Sequence, residues 1–216
     1  MGTVLILANG VWGDRADARA MADRANFVIA ADGGYAKALA AGIPVDMVIG
    51  DLDSLDDASR LTLSGSSVEV RRYPPDKDWT DLELAIDEAL KRTPGKITIL
   101  GALGHRIDHT LTNVHLLEKG LDAGVPIELE SGAESVTLIE GRRELSDARI
   151  GDRVSLVPFT ESARVSTTGL RFALREEVLH RAASRGVSNL IEDLPASVSV
   201  SSGRLLVIHA RTGART

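Results

Sequence analysis

Short apolar runs that alternate with longer stretches of helical periodicity constrain the first part of this chain more than any other feature. Val4-Leu5-Ile6-Leu7-Ala8, Phe27-Val28-Ile29-Ala30, Met47-Val48-Ile49 and Ile97-Thr98-Ile99-Leu100 are such runs. Their alternation with helices reads as a parallel α/β sheet. The clearest helix starts at Thr80, which forms a capping-box pattern with Glu83, and Leu82, Ile86, Ala89 and Leu90 then make one apolar stripe. It should stop before Pro94-Gly95. Near Glu130 to Ala133 the pattern changes to short strands separated by turn residues: Val136–Ile139, Arg153–Val157, Arg164–Thr167, Val198–Ser201 and Leu205–Ile208. The expected fold class is therefore α/β. A parallel, Rossmann-like sheet domain occupies residues 1–130, and a β-sandwich domain occupies residues 131–216.

Composition narrows the chemistry. With 216 residues and 44% hydrophobic side chains the chain can bury an adequate core. Twenty-five basic against 31 acidic residues leave a net charge of −6. That balance disfavours a nucleic-acid partner and suits a cationic ligand, or an anion escorted by metal ions. The absence of cysteine excludes disulfides, thiolate metal sites and cysteine nucleophiles. The run Val4–Ala8 is too short for a signal peptide or a membrane span, so a cytoplasmic address without membrane partners is expected.

Polar clusters fall where candidate strands end, which is where open parallel sheets bind ligands. One strand runs into Asp32-Gly33-Gly34 and the next into Gly50-Asp51-Leu52-Asp53-Ser54. In an extended segment Asp51 and Asp53 would point to one side and could share a hard divalent cation. The alternative is that Asp53 or Ser54 caps a helix beginning near Leu55. In Asp76-Lys77-Asp78-Trp79-Thr80-Asp81, Asp81 falls in the first turn of the capped helix, as a magnesium ligand, as a dipole-compensating anion, or as both. Trp79 reads as a packing residue at the helix entrance. After Leu100 come Gly101-Ala102-Leu103-Gly104-His105-Arg106-Ile107-Asp108-His109. Arg106 could clamp a phosphate bidentately or pair with Asp108 at the surface. His105 and His109 have zinc-compatible spacing but no third nitrogen ligand nearby. His115, His180 and His209 read as ordinary surface or packed histidines. No Walker sequence occurs, and Asn9-Gly10-Val11-Trp12-Gly13 does not fit the dinucleotide fingerprint.

Taken in order, Asp32-Gly33-Gly34, Gly50 to Ser54, Asp78-x-Thr80-Asp81, and Gly101 to His109 with Asn113 resemble the thiamine diphosphokinase family. The resemblance continues through Val154–Thr160, Gly169–Leu174 and Gly186-Val187-Ser188-Asn189, so it spans nearly the whole chain. It implies transfer of diphosphate from ATP to the thiamine hydroxyl with magnesium as cofactor, giving thiamine diphosphate and AMP. It also implies a homodimer with active sites at the subunit interface. Carried over by position, Asp51, Asp53 and Asp81 look like magnesium-binding and catalytic carboxylates, with Asp108 a further catalytic carboxylate. Asp78, Thr80, Arg106 and Asp108 look like ATP or diphosphate contacts, Asp32 lies at the nucleotide end, and Asn113 joins the substrate-binding set. Ser188 and Asn189 look like contacts to the aminopyrimidine, and Phe172 like the aromatic that stacks on a thiamine ring. Phe172, His105, Ala36 and Leu190 depart from the family pattern, where tryptophan or tyrosine, glycine, asparagine and glutamate are usual. Whether Asp108 or Asp81 takes the hydroxyl proton stays open. Two rivals are a metal-dependent glycosyltransferase, which accounts for Asp51 and Asp53 only, and a thiamine sensor without catalysis.

Overall fold

Six strands, β1 (Thr3–Leu7), β2 (Phe27–Ala31), β3 (Met47–Gly50), β4 (Glu69–Arg72), β5 (Lys96–Leu100) and β6 (Ile127–Glu130), form one parallel sheet in the order β6-β5-β1-β2-β3-β4. The computed structural model describes residues 2–104 and 106–212 and divides into two compact units between Gly132 and Ala133. His105 therefore lies outside the described residues.

In the first unit, Val4 to Leu7, Val28 to Ala31 and Met47 to Ile49 are all buried. Successive strand residues point to opposite faces, so burial without alternation means that both faces of the sheet are covered. The covering helices are α1 (Arg15–Arg24), α2 (Gly34–Ala41), α3 (Asp57–Ser64), α4 (Asp81–Leu90), α5 (Ile107–His115) and α6 (Leu117–Asp122). Ala18 and Ala22 of α1 and Ala38 of α2 join Leu5, Leu7 and Val28 in one cluster. Leu82, Ala85, Ile86 and Ala89 of α4 are buried, and the Thr80 hydroxyl accepts a hydrogen bond from the Glu83 N–H at 3.2 Å, as the capping box predicts. Strand β4 was not anticipated: Glu69-Val70-Arg71-Arg72 is exposed throughout at the sheet edge, where charged side chains guard against edge-to-edge pairing.

The second unit holds two antiparallel four-stranded arrays. Strands β7 (Glu134–Ile139), β9 (Arg153–Pro158), β12 (Asn189–Leu190) and β14 (Leu205–Ala210) run in the order β12-β9-β14-β7. Strands β8 (Arg142–Glu144), β10 (Ser162–Thr168), β11 (Glu177–His180) and β13 (Ser197–Ser202) run as β11-β10-β13-β8. Val154, Leu156, Leu205 and Val207 from the first array share a core with Val165, Leu179, Val198 and Val200 from the second, which makes the unit a β-sandwich. Among the described residues, no helix is long and apolar enough to cross a membrane.

One charge is buried inside this sandwich unit. Asp152 is 1% exposed, yet its two oxygens accept from Thr212 N–H and hydroxyl, from Arg149 N–H, and face His209 Nε2 at 2.8 Å. His209 is buried too, so it is a packed residue with a defined partner. Burial by itself would raise the Asp152 carboxyl, but these hydrogen bonds outweigh it and hold it down at about 2, against an ordinary 3.8. A depressed folded-state value stabilises the unit above the unfolded value and loses that stabilisation as pH falls towards the folded one. Asp152→Asn should therefore cost about 2 kcal/mol at neutral pH and flatten the loss of stability between about pH 4 and 2. Urea unfolding of both proteins across that range checks it; parallel curves would contradict the assignment.

Candidate active site

The topology locates the crevice. The chain lays down β1, adds β2, β3 and β4 on one side, then crosses back to place β5 and β6 on the other. Neighbouring β1 and β5 thus continue in opposite directions beyond their carboxyl ends, the condition for a ligand crevice in a parallel sheet. The two emerging loops are tied together by Ala8 N–H to Leu100 O and Gly10 N–H to Gly101 O, each 2.8 Å. Lys37 from α2 donates to the carbonyls of Asn9 and Gly10 at 2.7 and 2.6 Å. A cavity of about 490 Å³ opens there, and Asp32, Thr80, Asp81, Arg106, His109 and Asn113 line it with these loops.

Register then gathers the acids. Ala31 of β2 pairs with Ile49 of β3, so Asp32 and Gly50 leave the sheet side by side. Gly50 has φ 148°, and a Cβ there would stand 3.1 Å from Asp32 Cβ and 3.2 Å from Asp81 Oδ1. Only glycine fits this close approach without strain. Beyond it Leu52 takes φ 64°, so the Asp51–Asp53 segment is a turn and not the extended stretch the spacing suggested. The Asp53 N–H folds back onto Asp51 Oδ1 at 3.0 Å. Asp32, Asp51 and Asp53 each offer an oxygen within 4.8 Å of the other two. The capping alternative for Asp53 and Ser54 is corrected: α3 starts at Asp57, and its cap is Asp56, whose carboxylate accepts from Ser59 N–H at 2.7 Å. Asp51 and Asp53 also face a neighbouring hollow of about 300 Å³ bounded by Arg60 and Arg72.

The electrostatics of the group are unbalanced. Asp53, fully exposed, is raised by the hydrogen bond it shares with Asp51 and by that carboxylate's charge. Asp51 is lowered, chiefly by the Asp53 N–H. Asp81 is raised by burial, against the opposing pull of Lys77. The Lys77 side chain is only 7% exposed, with Nζ 3.0 Å from Asp81 Oδ1 and 3.8 Å from Asp51 Oδ2. Asp81 Oδ1 is buried with that ammonium as its neighbour, whereas Asp32 Oδ1 is buried with no hydrogen-bond partner. Buried carboxylate oxygens left without donors are the environment a hard cation satisfies. The sequence signal for Lys77 was its position among Asp76, Asp78 and Asp81; for Asp32 as a neighbour of Asp51, the cue was a double glycine that lets backbone approach closely.

The remaining expected residues spread more widely. Asp78 is exposed and outside the cavity lining. Arg106 and Asp108 form a bidentate surface pair, Nη2 to Oδ2 at 2.5 Å and Nε to Oδ1 at 3.2 Å. Asn113 is buried, and its amide donates to Ala102 O at 2.7 Å, bracing the loop after β5. Trp79, expected to pack, is 53% exposed, because polar contacts of Lys77 and Thr80 anchor its loop. In the second unit Phe172 is 65% exposed. Asn189 is buried, accepts from Phe172 N–H at 3.0 Å and donates to Phe172 O at 2.8 Å, so its amide fixes the backbone that presents the ring. Ser188 is exposed at φ 60°, its N–H bonded to Ser155 Oγ at 3.0 Å.

Comparison with known proteins agrees across both units. The family model for the thiamin pyrophosphokinase catalytic domain matches residues 18–129, and that for the vitamin B1 binding domain of the same family matches residues 142–205. A thiamine pyrophosphokinase of Bacillus subtilis (strain 168) is 29% identical over 212 residues, covering 97% of this chain and 99% of its own length. The crystal structure of thiamine pyrophosphokinase from Bacillus subtilis superposes with a TM-score of 0.86 at 25% identity, covering 97% of this chain and 99% of that one. That of thiamin pyrophosphokinase from Geobacillus thermodenitrificans gives 0.84 at 26% identity, covering 99% and 100%.

The pinch at Gly50 is open to test. Gly50→Ala should destabilise the first unit by about 1–3 kcal/mol through φ strain and crowding against Asp32 and Asp81. Urea unfolding measures the loss, and unchanged stability would show that these acids are not held together by this close approach.

Proposed function

The chain belongs to the thiamin pyrophosphokinase family, and on that premise we infer its reaction: it transfers the terminal diphosphate of ATP to the hydroxyl of thiamine, giving thiamine diphosphate and AMP. The observation that carries the site assignment is the meeting of Asp32, Asp51 and Asp53 at the carboxyl ends of β2 and β3, inside the segment matched by the catalytic-domain model.

In the proposed site Asp51, Asp53 and Asp81 hold magnesium, with Asp32 added to that set by its geometry. The oxygens of Asp32, Asp51 and Asp53 within 4.8 Å of one another, and the buried Asp32 Oδ1 without a hydrogen-bond partner, fit a hard cation. When bound, that ion supplies neutralisation of charge on the phosphate chain. The protein's own groups do the rest. The cavity between the β1 and β5 loops takes the nucleotide, with Thr80, Asn113 and Arg106 on its lining. Helix α5 opens at that cavity with no side-chain cap, which supports phosphate binding at its positive end. Arg106 exchanges its Asp108 partner for phosphate oxygens at little cost, since both side chains are exposed. Asp78, on the loop leading into α4, is proposed as a further contact to the same ligand from the resemblance in motif order, although it is not part of the cavity lining.

The thiamine hydroxyl oxygen attacks the β-phosphorus of ATP and releases its proton. The bond from that phosphorus to the oxygen shared with the α-phosphate breaks, and AMP departs carrying that oxygen. Thiamine is held through the second unit: the exposed ring of Phe172 stacks on it, Ser188 supplies polar contact, and Asn189 keeps Phe172 in place. We extend the reading to a homodimer with active sites at the subunit interface. Ile107 and Leu111, one turn apart on α5 and 77% and 58% exposed, support a partner surface there.

With thiamine, ATP and magnesium, AMP and thiamine diphosphate should appear in equal amounts, and chelation should stop both. Asp51→Asn should keep the fold yet lower turnover at least ~100-fold. Thiamine binding without AMP formation would reveal a sensor and overturn the reading. Phe172→Ala should raise KM for thiamine by roughly tenfold or more with a smaller change in kcat; an unchanged KM would remove the ring from the substrate contacts.

A further inference from the structure

Lysine ammonium groups are strongly hydrated and seldom buried. Lys77 breaks that habit in a loop, where solvent is a few bond rotations away, with its side chain 7% exposed. Its contacts are modest for so large a loss of hydration. Asp81 Oδ1 is 3.0 Å away, Asp51 Oδ2 is 3.8 Å away, and the Pro74 carbonyl accepts at 3.5 Å. The attraction is one of charge more than of directed bonds.

We propose that Lys77 is the internal counter-cation of the acidic site, keeping Asp51 and Asp81 together when no metal is bound and yielding them to a divalent cation when one arrives. The inference rests on the diphosphate-transfer reading for the identity of that cation as magnesium. Asp51 belongs both to the Lys77 contacts and to the Asp32–Asp51–Asp53 group, so an ammonium and a divalent ion that draw on its carboxylate compete. Loosely directed contacts make the exchange cheap, because few hydrogen bonds are broken when the ammonium swings out. The displaced side chain remains tethered four residues before Asp81, where a positively charged group can meet phosphate oxygens. Lys77 is on this account a positioning residue: it acts through the carboxylates it holds.

The test uses the full chain and magnesium chloride as the probe, with no substrate. Thermal melts of wild type, Lys77→Met and Lys77→Arg are compared in chelator and in saturating magnesium, and magnesium affinity is measured by calorimetry. In chelator, Lys77→Met should melt roughly 5–10 °C below wild type, as expected when buried carboxylates lose their partner. Magnesium should close most of that gap, and magnesium should bind Lys77→Met about tenfold more tightly, the competitor being gone. Lys77→Arg, which keeps the charge, should stay near wild type in chelator. A Lys77→Met protein that folds only with magnesium supports the proposal equally. An identical loss with and without magnesium, or weaker magnesium binding in Lys77→Met, overturns it. Should Lys77→Met fail to fold in both conditions, Lys77→Gln is read by the same two criteria. Failure of wild type to form AMP would instead overturn the diphosphate-transfer reading, which the substrate-free melts do not depend on.

Discussion

Like charges at close range are the constraint around which the first unit is organised. Asp32, Asp51 and Asp53 bring oxygens within 4.8 Å of one another, and Asp81 presses its own carboxylate against the same strand end. Such a group repels itself strongly in a partly desolvated setting. Three features hold it together: the β2–β3 register that delivers Asp32 beside Gly50, the turn at Leu52 that folds Asp53 N–H onto Asp51, and the Lys77 ammonium. None would be useful on a mobile base. Continuous burial of β1, β2 and β3 supplies the rigid one, since a sheet packed on both faces fixes where its loops begin.

The second unit solves a different problem, that of presenting an exposed aromatic ring from a small sandwich. Phe172 stands in solvent because its backbone, not its ring, is anchored, through both ends of the buried Asn189 amide. The Asp152–His209–Thr212 network ties the end of β14 to the segment preceding β9. Buried polar groups that are fully satisfied in this way specify one arrangement more sharply than apolar packing alone.

Elements were legible where their physics is local. Apolar runs marked β1, β2, β3 and β5, and the Thr80–Glu83 pair marked the start of α4, because burial pattern and capping are written in neighbouring residues. Strand β4 left no such trace: Glu69-Val70-Arg71-Arg72 is an edge strand whose stability comes from pairing with β3. Strand β6 alternates Ile127-Glu128-Leu129-Glu130 yet is buried on every residue, with Glu128 paired to Lys96, so its polar positions masked it. Trp79 is exposed where its type suggests packing, since hydrophobic character alone does not say whether a loop has anything to pack against. The same holds at Asp53, whose type suits a helix cap although Asp56 does that work three residues later.

By itself the sequence determined the class of the fold, the family and the loops that carry chemistry, since strand burial, capping and motif order are all properties of neighbouring residues. Which acids meet was decided by tertiary structure alone. Asp32 and Asp51 come together because β2 and β3 pair in one register, and Asp81 comes against Gly50 because α4 begins beside that strand end. Lys77 acquired its place between Asp51 and Asp81 by the same route. Distances across strands depend on pairing and close backbone approach, and those are set by how distant segments pack, not by the order of residues within any one of them.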